Sequence, residues 1–130
     1  MSILHLSNNV KVSLDSVDLA IGSGNLNSIS TNNYGTLQNA TYTQFGKIVV
    51  FSLEFVFSKK ALSSYTATRI ASGLPKPSKA QKCTGGAMDG TDCNIFYQID
   101  TDGTLVLYNR GSTELPLNNF IRSYGLVYQI

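Results

Sequence analysis

Between Lys47 and Ser58 the chain alternates as cleanly as anywhere in its length: Val49, Phe51, Leu53, Phe55 and Phe57 fall on one parity, Ile48, Val50, Ser52, Glu54 and Val56 on the other. A period of two predicts a β-strand whose first set faces a core. The second set is half apolar, more than a solvated face needs. It predicts cover from a second layer of the chain or from another subunit. Shorter alternating runs repeat the pattern. Val10 to Leu14 predicts a strand with Val10, Val12 and Leu14 inward, and Tyr65 to Ala71, Gln81 to Ala87 and Asn94 to Ile99 predict three more. Thr104 to Tyr108 follows Asp100-Thr-Asp-Gly103, whose Asp-Gly pair suits the positive φ of a tight turn, so the two flanking runs form a hairpin. Asn119 to Ile130 supplies a closing strand with Phe120, Arg122, Tyr124, Leu126 and Tyr128 on one parity. The prolines of Gly73-Leu-Pro-Lys-Pro77 exclude a central strand there. Gly22 to Asn33, rich in Gly, Ser and Asn, has the composition of a loop or connector. Seven or eight short strands with no helix between them predict an antiparallel β-sandwich or jelly roll.

With 130 residues the chain is one domain by size, and at 42% hydrophobic residues it can hold a core without disulfides or metals. Charged residues are only 14%, against about 25% in an average soluble domain, and the net charge is +2. That excludes a nucleic-acid footprint, which needs basic residues gathered on one face. No apolar run reaches the roughly 20 residues of a membrane span, and Met1 to Asn9 lacks the basic and apolar regions of a secretory signal. Cys83 and Cys93 are spaced so that a disulfide could close a hairpin loop, but with no export signal a reducing compartment is expected, and with it free thiols.

The residues that carry chemistry are few. His5 is the only histidine, and no nucleophile elbow or Cys-His arrangement accompanies it. Glu54 stands alone in the apolar strand and is expected on the more exposed face, paired with a basic residue of a neighbouring strand. Asp89-Gly-Thr-Asp92 and Asp100-Thr-Asp-Gly103 are fragments of calcium loops without the closing Glu, and read as turns. Asn39-Ala-Thr41 matches a glycosylation acceptor, which without a secretory signal carries little weight. Lys76, Lys79 and Lys82 crowd the proline loop and read as solvated. No metal and no cofactor is expected. Binding fits better than turnover, because seven Tyr and many Asn, Asp, Arg and Lys side chains offer rings to stack on sugars and partners for their hydroxyls.

Several segments together resemble one family. Tyr42-Thr-Gln-Phe-Gly-Lys-Ile-Val-Val-Phe-Ser-Leu-Glu-Phe55, Ile70-Ala-Ser-Gly-Leu-Pro-Lys-Pro77, Thr101-Asp-Gly-Thr-Leu105 and Phe120-Ile-Arg-Ser-Tyr-Gly-Leu-Val-Tyr128 are similar, in order and spacing, to C-terminal head domains of tail-fibre and base-plate proteins from phages and prophages of Gram-positive bacteria. The resemblance covers residues 36–130. It implies an all-β, jelly-roll-like antiparallel β-sandwich, a homotrimer, sitting on a virion tail beside other tail or base-plate proteins and binding host cell-surface carbohydrate without catalysis. Residues 1–35 are then an N-terminal extension or neck. Two other classes stay open: a trimerisation or decoration module without ligand, and a polysaccharide-degrading domain with titratable groups converging around Glu54 or Asp100. Within the binding reading, the hairpin between Asn94 and Tyr108 is the expected saccharide site. Tyr97 and Tyr108 come from its two arms, Asp100 and Asp102 from its tip, and Arg110 from just beyond, with Tyr108 the better stacking ring because Tyr97 shares the parity of Ile95 and Ile99.

Overall fold

A strand with five large apolar side chains on one parity needs a partner layer, and this one sits at the centre of a sheet. In a computed structural model, which describes the backbone of residues 4–5, 9–10, 21–29, 33–85, 87–88 and 94–130 and side chains from residue 21 onward except at 87 and 88, twelve strands and no helix are present among the described residues. In chain order they are β1 (Leu4–His5), β2 (Asn9–Val10), β3 (Ile21–Asn25), β4 (Asn27–Ser28), β5 (Thr36–Phe45), β6 (Ile48–Val56), β7 (Ala67–Ser72), β8 (Gln81–Thr84), β9 (Ala87–Met88), β10 (Ile95–Ile99), β11 (Leu105–Asn109) and β12 (Phe120–Gln129). All pairings are antiparallel. One five-stranded sheet runs β3-β5-β6-β12-β9, the other β4-β7-β11-β10-β8, and β1 pairs only with β2.

Val49, Phe51, Leu53, Phe55 and Phe57 are fully buried, as their alternation predicts. They pack against Ile95, Tyr97 and Ile99 of β10 and Leu105 and Leu107 of β11 in one core cluster. Phe51 meets Tyr97 and Tyr128 edge-on, with ring centroids 6.3 and 5.9 Å apart. The Tyr97 hydroxyl is 2.8 Å from the Ser123 hydroxyl of β12, so the polar atom of each buried residue is satisfied by the opposite sheet.

Both edges of the sandwich are tied at corners by strands that change sheets. β3 belongs to the first sheet and β4 to the second, with a single residue between them, Leu26, buried in the core. β8 and β9 do the same at the other edge. This corrects the first part, Gly22 to Ser28, of the loop expected at Gly22 to Asn33. Ile21–Asn25 pairs with Thr41 to Phe45 and Asn27–Ser28 with Ala71 and Ser72, so these two strands belong to the two sheets. Small polar residues suit an edge strand as well as a connector, and composition alone does not separate the two. Of the strand expected at Val10 to Leu14, only Val10 lies within the described residues, in β2.

The closing strand also departs from plain alternation. Ile121 and Ser123 are buried, then Leu126 and Tyr128, because a bulge between Ser123 and Leu126 inserts one residue and reverses the parity. A second bulge lies directly across β6, between Gln38 and Thr41 of β5. Asn39 there has φ 48°, and Gly125 in the first bulge has φ 68°. Glu54 lies between the two bulges. Its carboxylate accepts hydrogen bonds from the Asn39 amide at 2.9 Å and from the Tyr124 hydroxyl, and Arg122 Nε is 3.5 Å away. The pairing expected for Glu54 is therefore present, and it joins three strands. The Tyr124 hydroxyl first, then the Asn39 amide and the Arg122 guanidinium, hold the carboxyl below its usual range.

Beyond that cluster the outer face of the first sheet turns apolar. Phe45 stands opposite Ile48 and Ile21, and Val50 opposite Val127. Ile21, Phe45, Ile48 and Val127 are exposed, Ile21 by 71% and Val127 by 51%. No element among the described residues pairs over this face, so the cover that the second parity of β6 predicts is not supplied within the described chain.

Candidate functional site

The hairpin expected at Asp100 to Gly103 forms, joining β10 to β11. Its three-residue loop closes with Gly103 N–H donating to Asp100 O and Asp100 N–H to Thr104 O, and Gly103 sits at φ 83°. Asp102 accepts from Thr104 N–H at 2.9 Å, and bonds to Thr104 lower its pKa. Asp100 accepts from the Gln98 amide at 2.8 Å and lies 4.0 Å from Arg69. Both acids are thus engaged in the turn itself and its flanks.

The five residues expected as a saccharide site are not brought together. Tyr97 has no exposed surface and is a core residue, as its parity with Ile95 and Ile99 implies, so it drops out of any surface site. Asp100 and Asp102 lie at the hairpin tip. Tyr108 and Arg110 lie at the other end, about four residues along the strands, roughly 13 Å at the rise of an extended chain. What the structure does assemble is the far end. Tyr108 stands directly opposite Phe96, and their rings stack with centroids 4.4 Å apart and planes 9° from parallel. The Arg110 guanidinium carbon is 5.5 Å from the Phe96 ring centroid, and Lys82 Nζ is 5.8 Å from it. Cations over an aromatic face are attracted by its quadrupole.

Phe96, Lys82 and Arg110 line a cleft of about 620 Å³ together with Cys83, Thr84, Gly125, Leu126 and Val127. Tyr108 does not line it; it backs Phe96 from behind. The cleft spans the corner where β8, the edge strand of one sheet, meets β12 of the other. β9 pairs with β12 only at Ile121 and Arg122, so in the described chain the cleft passes between two strand edges that have no further partner there. Cys83 is half-buried and free, and burial pushes its thiol up to about 11. Cys93, Asp89 and Asp92 lie outside the described residues, as does the side chain of His5.

One buried side chain fixes the loop that carries Arg110. Asn109, fully buried, donates from Nδ2 to Leu62 O, Ser63 O and Thr113 O at 3.2, 3.1 and 2.9 Å, and its Oδ1 accepts from Gly111 N–H at 3.0 Å. Arg110 N–H in turn donates to Asn94 O at 2.8 Å. The guanidinium therefore projects from a backbone held on both sides.

Phe96 and Lys82 are the residues that sequence reasoning missed. The hairpin tip held the signal: a turn at Asp100 to Gly103 sets Ile99 opposite Leu105, and counting back places Phe96 opposite Tyr108. Lys82 was grouped with Lys76 and Lys79 on the proline loop, but it belongs to β8, opposite Gln98 and one pleat from Phe96. Near Glu54, the Tyr124 hydroxyl, the Arg122 guanidinium and the Asn39 amide converge on the carboxylate, and among the described residues no group of three acids, histidines or cysteines gathers. No protein-family model matches this sequence, and no curated protein matches it.

Proposed function

We propose that this chain is a host-adhesion domain of a phage tail-fibre or base-plate protein, binding a cell-surface saccharide without cleaving it. The observation that carries the reading is the Phe96 ring, backed by Tyr108 and flanked by Lys82 and Arg110, at the wall of an open cleft. With one face of the ring stacked on Tyr108, a sugar takes the other face, and the long Lys82 and Arg110 side chains swing from over the ring to meet its hydroxyls beside the strand-edge backbone. Glu54, the one acid in the middle of the main strand, is held ionised and engaged, which does not suit a general acid.

The same proposal includes a homotrimer and a jelly-roll-like arrangement, both following from the family resemblance. The exposed Ile21, Phe45, Ile48 and Val127 on the outer face of the first sheet support self-association, since symmetric assembly is the common way to cover such a patch. Three shallow sites on one rigid assembly gain avidity that a single weak site lacks. The apolar patch equally suits a trimerisation module with no ligand.

Host cells, or their isolated walls, incubated with the purified protein distinguish the readings. Adhesion lost in Phe96→Ala and retained in Lys76→Ala, with no release of reducing sugar, is the expected result. No adhesion by the wild-type trimer favours the ligand-free module, and sugar release would establish an enzyme.

A further inference from the structure

The composition of the cleft specifies a charge for its ligand. Lys82 and Arg110 both line it, both are exposed, and no acidic residue is among the described residues around it. Of the described acids, Asp100 faces Arg69, Asp102 caps its own turn and Glu54 faces Arg122 on the other sheet, while Glu114, exposed in the loop after Arg110, does not line the cleft and forms no ion pair with Lys82 or Arg110. Neither Lys82 nor Arg110 joins an ion pair among the described residues. The chain as a whole carries only +2, so two cations within 6 Å of one ring are a local concentration of charge and not a reflection of a basic surface.

Both cations flank the ring that would take the apolar face of a sugar. An anionic substituent on that sugar would reach both at once, and Arg110 presents a planar fork suited to a carboxylate or phosphate. Charge complementarity is what a neutral saccharide would leave unused here. Resting on the saccharide reading above, we infer that the cleft selects an acidic glycan, one that bears a carboxylate or a phosphate within one residue of the ring stacked on Phe96.

Calorimetric titration of the full chain tests this with four probes: a hexamer of galacturonate, its neutral methyl ester, a phosphodiester-linked hexose oligomer and a hexamer of glutamate. At 50 mM salt at least one acidic glycan is expected to bind about fivefold or more tighter than the methyl ester, as two partly screened charge contacts allow. The advantage should fall towards unity at 0.5 M salt, where screening lengths shrink to a few ångström. It should also vanish in Lys82→Gln with Arg110→Gln, while Phe96→Ala weakens acidic and neutral sugars alike. The carboxylate and phosphodiester probes tell the two anion sources apart. Equal affinity for the galacturonate hexamer, the phosphodiester oligomer and the neutral ester overturns the charge selection and leaves the saccharide reading standing. Failure of every glycan to bind removes both, and glutamate bound as tightly as the acidic sugars would mean plain ion exchange and overturn the inference.

Discussion

Replacing Gly103 by alanine separates two costs that usually travel together. Gly103 occupies φ 83°, and a Cβ built there would lie 2.3 Å from the carbonyl oxygen of Leu74 and 3.3 Å from its carbon. The first cost is conformational: an L-residue in the left-handed region loses about 1–2 kcal/mol, partly offset by about 0.4–1 kcal/mol because alanine has less freedom than glycine when unfolded. The second is collision. Leu74 N–H donates to Gly103 O at 3.2 Å, and parting the two segments enough to admit a methyl breaks a bond worth about 0.5–1.5 kcal/mol, besides shifting Leu74 from the core. The total for Gly103→Ala is about 2–3 kcal/mol, or a melting temperature about 8–12 °C lower for a chain of this size. Gly125 supplies the internal control. It has φ 68° but nothing within 4 Å of where a Cβ would lie, so Gly125→Ala should cost only the conformational part, about 0.5–1 kcal/mol. Urea unfolding of both variants beside the wild type measures the difference. If the two losses agree to within about 0.5 kcal/mol, the contact between the proline loop and the hairpin tip contributes nothing and the reasoning fails.

Three further outcomes follow from particular groups. Asn109→Ala deprives buried carbonyls of their donor and should destabilise by about 2–3 kcal/mol in chemical denaturation, with amide exchange accelerating across residues 110–115. Because the folded pKa of Glu54 lies below its ordinary value, its contribution is present above about pH 4.5 and lost as pH falls through the folded pKa; Glu54→Gln should flatten that acid limb of a stability profile. The raised pKa of Cys83, about 11, gives the opposite sign: its contribution holds below the ordinary thiol value and is lost as pH rises towards the folded one. In a Cys93→Ser background at pH 8, iodoacetamide should therefore label folded protein about a hundredfold more slowly than unfolded protein, and equal rates would contradict the burial of the thiol.

How far the chain can be understood before folding depends on whether each residue's role is local. The core parity of β6, the hairpin at Asp100 to Gly103 and the pairing of Glu54 were legible because alternation, turn chemistry and the cost of an unpaired acid act within a few residues. The inward set of β12 was not legible past Ser123, since a one-residue bulge reverses parity without leaving a compositional mark. The corner strands β3 and β4 were hidden for a related reason: Leu26 is the only apolar residue between Gly22 and Ser28, and its burial depends on two sheets meeting there. In the site, Arg110 was legible as an exposed group at a strand end, whereas Tyr108, expected there as the stacking ring, is half-buried behind Phe96. Phe96 was legible only by counting register back from the hairpin tip, and Lys82 was not, because it arrives through the register of β10 against β8, which no short turn sets.

The central claim places a saccharide on the Phe96 ring, and amide chemical-shift mapping during titration with the galacturonate hexamer tests that location most directly. The account predicts shifts concentrated at Lys82 to Thr84, Phe96, Tyr108, Arg110 and Gly125 to Val127, with the signals of the Glu54, Asn39 and Tyr124 cluster and the hairpin tip unmoved. Shifts centred on Tyr124 and Glu54, or on Asp100 and Asp102, with the cleft unchanged, would contradict it.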